Sequence, residues 1–411
     1  MTEPVGDTAS LSDFIYGFSD IGAARRFRFN PSFELVQWER LPADLREASG
    51  DLLREEPDLF GLVQSKETAG PQLTVGRDLA LLLLSLQTPG PLPRFALGGG
   101  ETAVREDILR LLLDGLLEIE SGAGFVSGAR ACAQIWPDWK PREVTGTIEK
   151  LSRDALEYAT ALSHLPLGLL VARLYAYPRL VFSPRGRLLM PASRLELREH
   201  LGVRRGSARW HKLKLHWEEQ RGAADSAWIS WRRRNPVEAE EANRFKLYVS
   251  PRTEALGDCI EVISEELHCL GAGAFKVTAE PLGLLRPDKM VVYFSDFDKL
   301  ACAGRVLAGR LAGLPAHGVP FTAAVERDGL LSWGIDPSVS RATPGAPRES
   351  WRSWLVSRLA HTLKRAGQAA ETTMPPWLFA LKRLELEGVD TRRWVPRSTK
   401  GTFWQTGFGE S

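Results

Sequence analysis

A handful of charged residues in the C-terminal half of this chain stand where a hydrophobic core alone would not demand them. Lys276 sits in Ala-Phe-Lys-Val, among apolar neighbours in a stretch that alternates like a strand. A lysine partly stripped of water there has its ammonium disfavoured, which moves it towards a general base. If it reaches out at a sheet edge it is an ordinary solvated lysine, and both readings stand. Arg286 and Lys289 bracket Pro287-Asp288 at the entrance to the next strand. A guanidinium there can grip a phosphate or carboxylate with Asp288 orienting it, or the four residues can be a turn with a surface ion pair. Tyr293 alternates inside that same strand. Farther on, Trp333 and Gly334 precede the turn-forming pair Asp336-Pro337, and Arg348 and Arg352 open a helix. Cations at a helix start oppose its dipole, so an anionic client there would remove a local conflict.

The elements that must position these residues follow from periodicity. Arg244–Ser250, Ala274–Ala279, Lys289–Phe294, Pro320–Glu326 and Leu330–Trp333 read as strands. Between them, 253–270 carries one apolar helical stripe (Leu256, Ile260, Ile263, Leu267), and Ser295 with Asp298 resembles a capping box opening a helix to about Leu311. The order β-α-β-β-α-β is that of a ferredoxin-like arrangement, with an added strand and the amphipathic helix 349–365. Upstream, Asp78–Leu86 and Thr102–Leu113 read as helices, and Gly-Leu-Leu-Glu-Ile-Glu-Ser-Gly-Ala-Gly-Phe-Val-Ser-Gly as a hairpin. That is the outline of a winged-helix-like module, or of a small helical domain with a hairpin. The expected class is α+β. Its regions are a winged-helix-like module over 1–140, a helical and basic connection over 141–240, a mixed or antiparallel sheet domain over 241–395, and an irregular tail over 396–411.

Composition narrows the function. The 411 residues exceed what one core usually organises, and a formal net charge of +2 argues against a protein held mainly by phosphate backbones or anionic lipid. Four cysteines without C-x-x-C spacing imply neither a disulfide framework nor a zinc site, so a reducing cytoplasm is the expected location. The acidic, polar start is unlike a signal peptide, and the apolar run Leu79–Leu86 is too short to span a bilayer. No P-loop, G-x-G-x-x-G, H-E-x-x-H or G-x-S-x-G is present, and the seven histidines lack metal-ligand spacing. Residues 201–246 hold eleven Lys or Arg against six Asp or Glu, interleaved with four tryptophans. Such a mixture can bind single-stranded nucleic acid, or phosphate on a modified peptide through Arg232, Arg233 and Arg234, or be a solvated loop beside a core.

The runs Arg-Phe-Lys-Leu-Tyr-Val-Ser-Pro-Arg-Thr-Glu-Ala-Leu, Gly-Ala-Phe-Lys-Val and Arg-Pro-Asp-Lys-Met-Val-Val-Tyr-Phe come first. The later Gly-Ile-Asp-Pro-Ser then precedes an arginine-bearing helix. Over about 244–365 this pattern resembles the type III effector Hop-A family, whose relatives include phosphothreonine/phosphoserine-lyase-like enzymes of ribosomal-peptide biosynthesis. The resemblance implies that Lys276 abstracts an α-proton, Arg286 binds the phosphate and Arg352 is a second phosphate ligand. Lys289 departs from the pattern, standing where a small residue is expected. The implied activity is β-elimination of phosphate from a phosphorylated peptide, with no metal or organic cofactor. Its partners would be a precursor peptide and a peptide kinase, with no membrane. Lys289, Tyr293, Trp333, Asp336, Arg348 and Arg352 are the candidate substrate contacts. A non-enzymatic peptide-binding scaffold of a natural-product pathway, or a nucleic-acid-binding regulator, are the competing classes.

Overall fold

The computed structural model describes residues 25–41, 43, 58–67, 72–97, 102–122, 124–136, 143–182, 184, 190–220, 226–234, 244–337, 349–367 and 374–397. The chain divides into two compact units, one built from 1–142, 340–346 and 362–387, the other from 143–339, 347–361 and 388–411. Helices and antiparallel sheets make it an α+β protein, as the sequence indicates.

In the first unit, β1 (Phe27–Phe29), β2 (Phe33–Gln37), β3 (Leu59–Ser65) and β4 (Gln72–Gly76) lead into α1 (Arg77–Ser85) and α2 (Arg94–Leu97). They are followed by α3 (Thr102–Leu113), β5 (Leu117–Ser121), β6 (Gly124–Val126) and α4 (Gly128–Ile135). The two expected helices and the hairpin are present. The hairpin β5–β6 gains β1 as a third strand, because Phe27 and Phe29 pair with Ile119 and Leu117 and bury their rings. A separate sheet runs β2-β3-β4. On α3, Ile108, Leu111 and Leu112 are buried, as their helical spacing requires. Arg110 of that helix pairs with Asp107 and donates to the carbonyl of Leu386, which leaves a poor footprint for reading DNA.

The second unit opens with α5 (Thr147–Ala161), α6 (Leu167–Tyr175), α7 (Arg194–His200) and α8 (Ala208–His216). The sheet then accumulates from β7 (Trp217–Glu219), β8 (Trp228–Arg233), β9 (Phe245–Val249), α9 (Leu256–Glu266), β10 (Ala274–Thr278), β11 (Met290–Phe294) and α10 (Phe297–Arg310). The unit closes with β12 (Ala323–Ala324), β13 (Leu331–Ile335) and the first part of α11 (Trp351–Gly367), and holds β14 (Val389–Asp390) and β15 (Val395–Pro396), while α12 (Pro376–Leu386) belongs to the first unit. The seven strands run β12-β13-β9-β11-β10-β8-β7, every neighbour antiparallel. Its inner four, β13-β9-β11-β10, have the order a β-α-β-β-α-β chain gives when two helices cross one face.

Three details differ from the sequence reading. The stretch 217–233 joins the sheet as two strands, because Trp217, Ile229 and Trp231 alternate into the same core as Phe275. The N-cap of α10 is Asp296, whose carboxylate accepts from the backbone N–H of Lys299 at 2.8 Å, and not Ser295. The strand expected over 320–326 shortens to two residues. Residues 235–243, at the end of the expected connecting region, lie outside the described residues. Among the described residues, no helix is long and apolar enough to cross a membrane.

Candidate functional site

The sheet's two faces have opposite chemistry, and strand alternation is the cause. Leu247, Phe275, Val277, Met290, Val292, Phe294 and Leu331 point one way into the main core, where α9 and α10 supply Leu256, Ile260, Leu300 and Leu307. The residues between them point the other way. Lys276 on β10, Val291 on β11, Tyr248 on β9 and Ser332 on β13 form one row across four strands, continued by Ser230 on β8. The adjacent row holds Ala274, Tyr293, Lys246 and Gly334.

Lys276 stands on this face between two aromatic rings. Its Nζ lies 4.3 Å from the ring centroid of Trp228 and 5.5 Å from that of Tyr293. Among the described residues it makes no hydrogen bond and no ion pair. Burial lowers its pKa to about 8, the like charge of Lys246 adding to the effect and Asp288 opposing it. Lys246, whose Nζ lies 5.6 Å from the Tyr293 ring centroid, is tied down by Asp336 at 2.5 Å. The other oxygen of Asp336 accepts from the backbone N–H of Trp351 at 3.0 Å, which seats the start of α11. That helix comes so close that a Cβ on Gly334 would lie 2.7 Å from the Trp351 ring.

Arg286 ends the short 3-10 turn between β10 and β11, and Trp228 joins it to Lys276. Its guanidinium carbon lies 5.2 Å from the same indole centroid that Lys276 covers. Nε and Nη2 of Arg286 donate to Oδ1 and Oδ2 of Asp288, each at 2.9 Å. Burial alone would raise the pKa of Asp288, but Arg352 and then Arg286 more than reverse that, so it stays ionised. Four cationic side chains, Lys246, Lys276, Arg286 and Arg352, thus meet two carboxylates, Asp288 and Asp336. The surplus is positive and suits a phosphate dianion. Two phenols complete the face. Tyr248 and Tyr293 have pKa values pushed up, chiefly by burial and then by Asp336, so both remain protonated donors. Neither hydroxyl has a hydrogen-bond partner among the described residues.

Lys276, Arg286, Tyr293 and Asp336 therefore come together. Three other candidates do not present themselves to a ligand. Trp333 alternates onto the opposite face and packs on Phe297, with ring centroids 5.0 Å apart. Lys289 is fully buried, its Nζ donating to the carbonyl of Pro251 and to Nδ1 of His317, both at 2.8 Å. Arg352 is also fully buried, its guanidinium taken up by Asp288, Tyr175 and Pro320, so it touches no ligand directly. Arg348 lies outside the described residues. Sequence reasoning missed Trp228, Lys246, Tyr248 and Tyr175. The alternation of Phe-Lys-Leu-Tyr-Val, polar residues on one side only, was the signal for two of them.

Part of the basic segment, with Arg198 before it, is paired with carboxylates. Arg198 pairs with Glu219 at 2.7 Å, Arg204 with Glu199 at 2.5 Å, Arg209 with Glu261 at 3.0 Å and Lys212 with Glu265 at 3.3 Å. Cations so neutralised do not make a track for a nucleic-acid backbone. Among the described residues no cluster of His, Cys, Asp and Glu could hold a metal ion.

No protein-family model matches the sequence, and no curated protein matches it. Among solved structures, the chain is similar to the effector protein from Pseudomonas syringae pv. syringae strain 61, with 15% identity and a TM-score of 0.39 over 62% of this chain and 99% of that one. The effector protein from Pseudomonas syringae pv. tomato strain DC3000 gives 13% and 0.37 over 61% and 99%. The type III effector/phosphothreonine lyase OspF from Shigella flexneri gives 12% and 0.26 over 44% and 89%. The solved structures to which this chain is similar thus include effector proteins, a type III effector/phosphothreonine lyase among them.

Proposed function

We propose that this chain eliminates phosphate from phosphoserine or phosphothreonine in a peptide, leaving a dehydroamino acid. The observation that carries the reading is one pair of side chains on one indole. Lys276, an unpartnered amine with a pKa lowered to about 8, and Arg286, an anion-seeking guanidinium, both lie against Trp228. A β-elimination needs these two groups at adjacent atoms of one residue. The Lys276 amine takes the α-proton, and the C–H electron pair becomes the Cα=Cβ bond. The Cβ–O bond breaks with its electrons leaving on phosphate, whose charge Arg286 neutralises. Tyr248, across Val291 from Lys276, rests protonated and gives that proton to the departing oxygen; the α-proton leaves Lys276 to solvent and solvent reprotonates Tyr248. Lys246 offers a cation to the carbonyl oxygen on which carbanion charge gathers. A positioned base contributes roughly 10²–10⁴-fold to such a step.

The test is mass spectrometry for loss of phosphoric acid from phosphoserine and phosphothreonine peptides, a precursor peptide of a natural-product pathway among them. Wild type should eliminate, Lys276→Ala should bind without turnover, and Arg286→Ala should mainly bind more weakly. A wild type that binds the phosphopeptide and never eliminates favours the peptide-binding scaffold. A Lys276→Ala protein as fast as wild type removes Lys276 from the chemistry.

A further inference from the structure

Beneath Arg286 lies a closed set of contacts drawn from three distant parts of the chain. Asp288 Oδ2 receives the Tyr175 hydroxyl at 3.1 Å and lies 3.0 Å from Nη1 of Arg352. Arg352 in turn donates through Nη2 to the backbone carbonyl of Tyr175 at 2.8 Å and through Nε to that of Pro320 at 3.3 Å. The Tyr175 ring lies 4.5 Å from the Arg352 guanidinium carbon. Asp288, Arg352 and Tyr175 thus contact one another pairwise, so none can shift without disturbing the other two. The Arg352 side chain has 0% exposure and Asp288 5%, while Arg286 keeps 31%. The set is sealed at its base and open only where Arg286 emerges.

We infer that Asp288 is a positioning residue, pinned from below by Arg352 and Tyr175 so that it fixes which edge of Arg286 meets a substrate phosphate. The inference rests on the proposed phosphopeptide chemistry. Asp288 is nearly covered, at 5% exposure against 31% for Arg286, so Arg286 is the member that can meet a ligand. Oδ1 accepts from Nε of Arg286, and Oδ2 faces Nη2 of Arg286, the Tyr175 hydroxyl and Nη1 of Arg352. Nη1 of Arg352 faces Oδ2 as a counter-charge and not as a hydrogen-bond donor, and Oδ1 keeps one acceptor position, but these neighbours leave the Asp288 side chain only 5% exposed. Because the Nε–Nη2 edge of Arg286 is held, Nη1 and the outer N–H of Nη2 form the only free edge, facing away from Asp288. A planar fork locked on one side presents a defined pair of donors on the other and loses little freedom on binding. One carboxylate shared by two guanidiniums also leaves a net positive charge, and the exposed member is Arg286. Arg352, implied by resemblance to be a phosphate ligand, acts here two contacts away from the phosphate.

A double-mutant cycle on phosphopeptide affinity separates positioning from mere folding. Asp288→Asn should weaken binding by about tenfold, within the range that coupled neighbours show. In an Arg286→Ala background the same change should alter affinity less than twofold. Equal losses in both backgrounds would overturn the inference. Asp288→Asn leaves Arg352 buried without its counter-charge, so Tyr175→Phe, which removes one donor and keeps the ring, is the second variant. Its expected loss is twofold to threefold, again only where Arg286 is present. A measurement without peptide keeps the two readings apart: modification of Arg286 by phenylglyoxal, followed by mass spectrometry. Freed from Asp288, Arg286 should react at least fivefold faster in Asp288→Asn and measurably faster in Tyr175→Phe. If Arg286 is released this way yet wild type binds no phosphopeptide, the proposed function fails and the positioning set stands. If its reactivity is unchanged in both variants, the positioning inference falls whatever the peptide does.

Discussion

Lys276 should titrate near pH 8 in the folded protein, and this decides whether the sheet face is reactive. Its ordinary value is 10.5, and burial with Lys246 nearby lowers it to about 8. The difference corresponds to about 3 kcal/mol of lost preference for the ammonium, at about 1.4 kcal/mol per pKa unit. At pH 7 the free-amine fraction rises from about 0.03% to about 9%, roughly 300-fold, on the same relation. The assay needs no substrate: brief acylation with an amine-selective reagent across pH 6–11, read lysine by lysine by peptide mass spectrometry. The Lys276 rate should reach half its plateau near pH 8, well below the value of about 10.4 for a lysine in a model peptide. With a phosphopeptide in hand, kcat/KM should rise to a plateau over the same range, because it reports the free enzyme. The linkage sign is fixed as well. The folded state holds fewer protons than the unfolded one between about pH 8 and 10.5, so the stability Lys276 withholds at neutral pH returns as pH rises. Lys276→Met should therefore be more stable than wild type at pH 7. A Lys276 midpoint at or above pH 10 would refute the reasoning, since an amine so fully protonated is no base at neutral pH.

Four further outcomes follow from the same contacts. Trp228→Ala should raise the Lys276 midpoint by about one unit or more, because water reaches the ammonium; an unchanged midpoint in the labelling assay counts against the indole's role. Lys289 and His317 have pKa values lowered by burial to about 7 and about 3, so unfolding free energy should increase with pH, for His317 between 3 and 6.5 and for Lys289 above 7. Between pH 8 and 10 the Lys289 slope approaches about 1.4 kcal/mol per unit, and denaturant titration of Lys289→Met should show it gone. Gly334→Ala should cost about 1–3 kcal/mol in thermal unfolding, since its Cβ would meet the Trp351 ring. Labelled duplex DNA titrated at two salt concentrations should show no salt-sensitive binding, and a steep salt slope would reverse that ranking.

The sequence by itself determined the central elements of the sheet domain and the face their strand residues take. Period-two alternation in Phe-Lys-Leu-Tyr-Val and Ala-Phe-Lys-Val commits Leu247 and Phe275 to the core and Lys246 and Lys276 to the opposite side, because a core cannot accept every second residue charged. The helical stripe of α9 fixed its burial in the same way. What the sequence could not determine was partnership across distance. Trp228 lies in a stretch that reads as a basic connection, and only the pairing of β8 with β10 brings its indole under Lys276. Arg352 and Lys289 look like surface cations by type. Tertiary packing makes them interior, one answered by Asp288 and Tyr175, the other by Pro251 and His317. Local propensity acts over a few residues and so is written in order along the chain. A buried charge is tolerable only beside a specific counter-group, and the residues that supply it, at 175, 288, 317 and 352, become neighbours only once the sheet and its helices have closed.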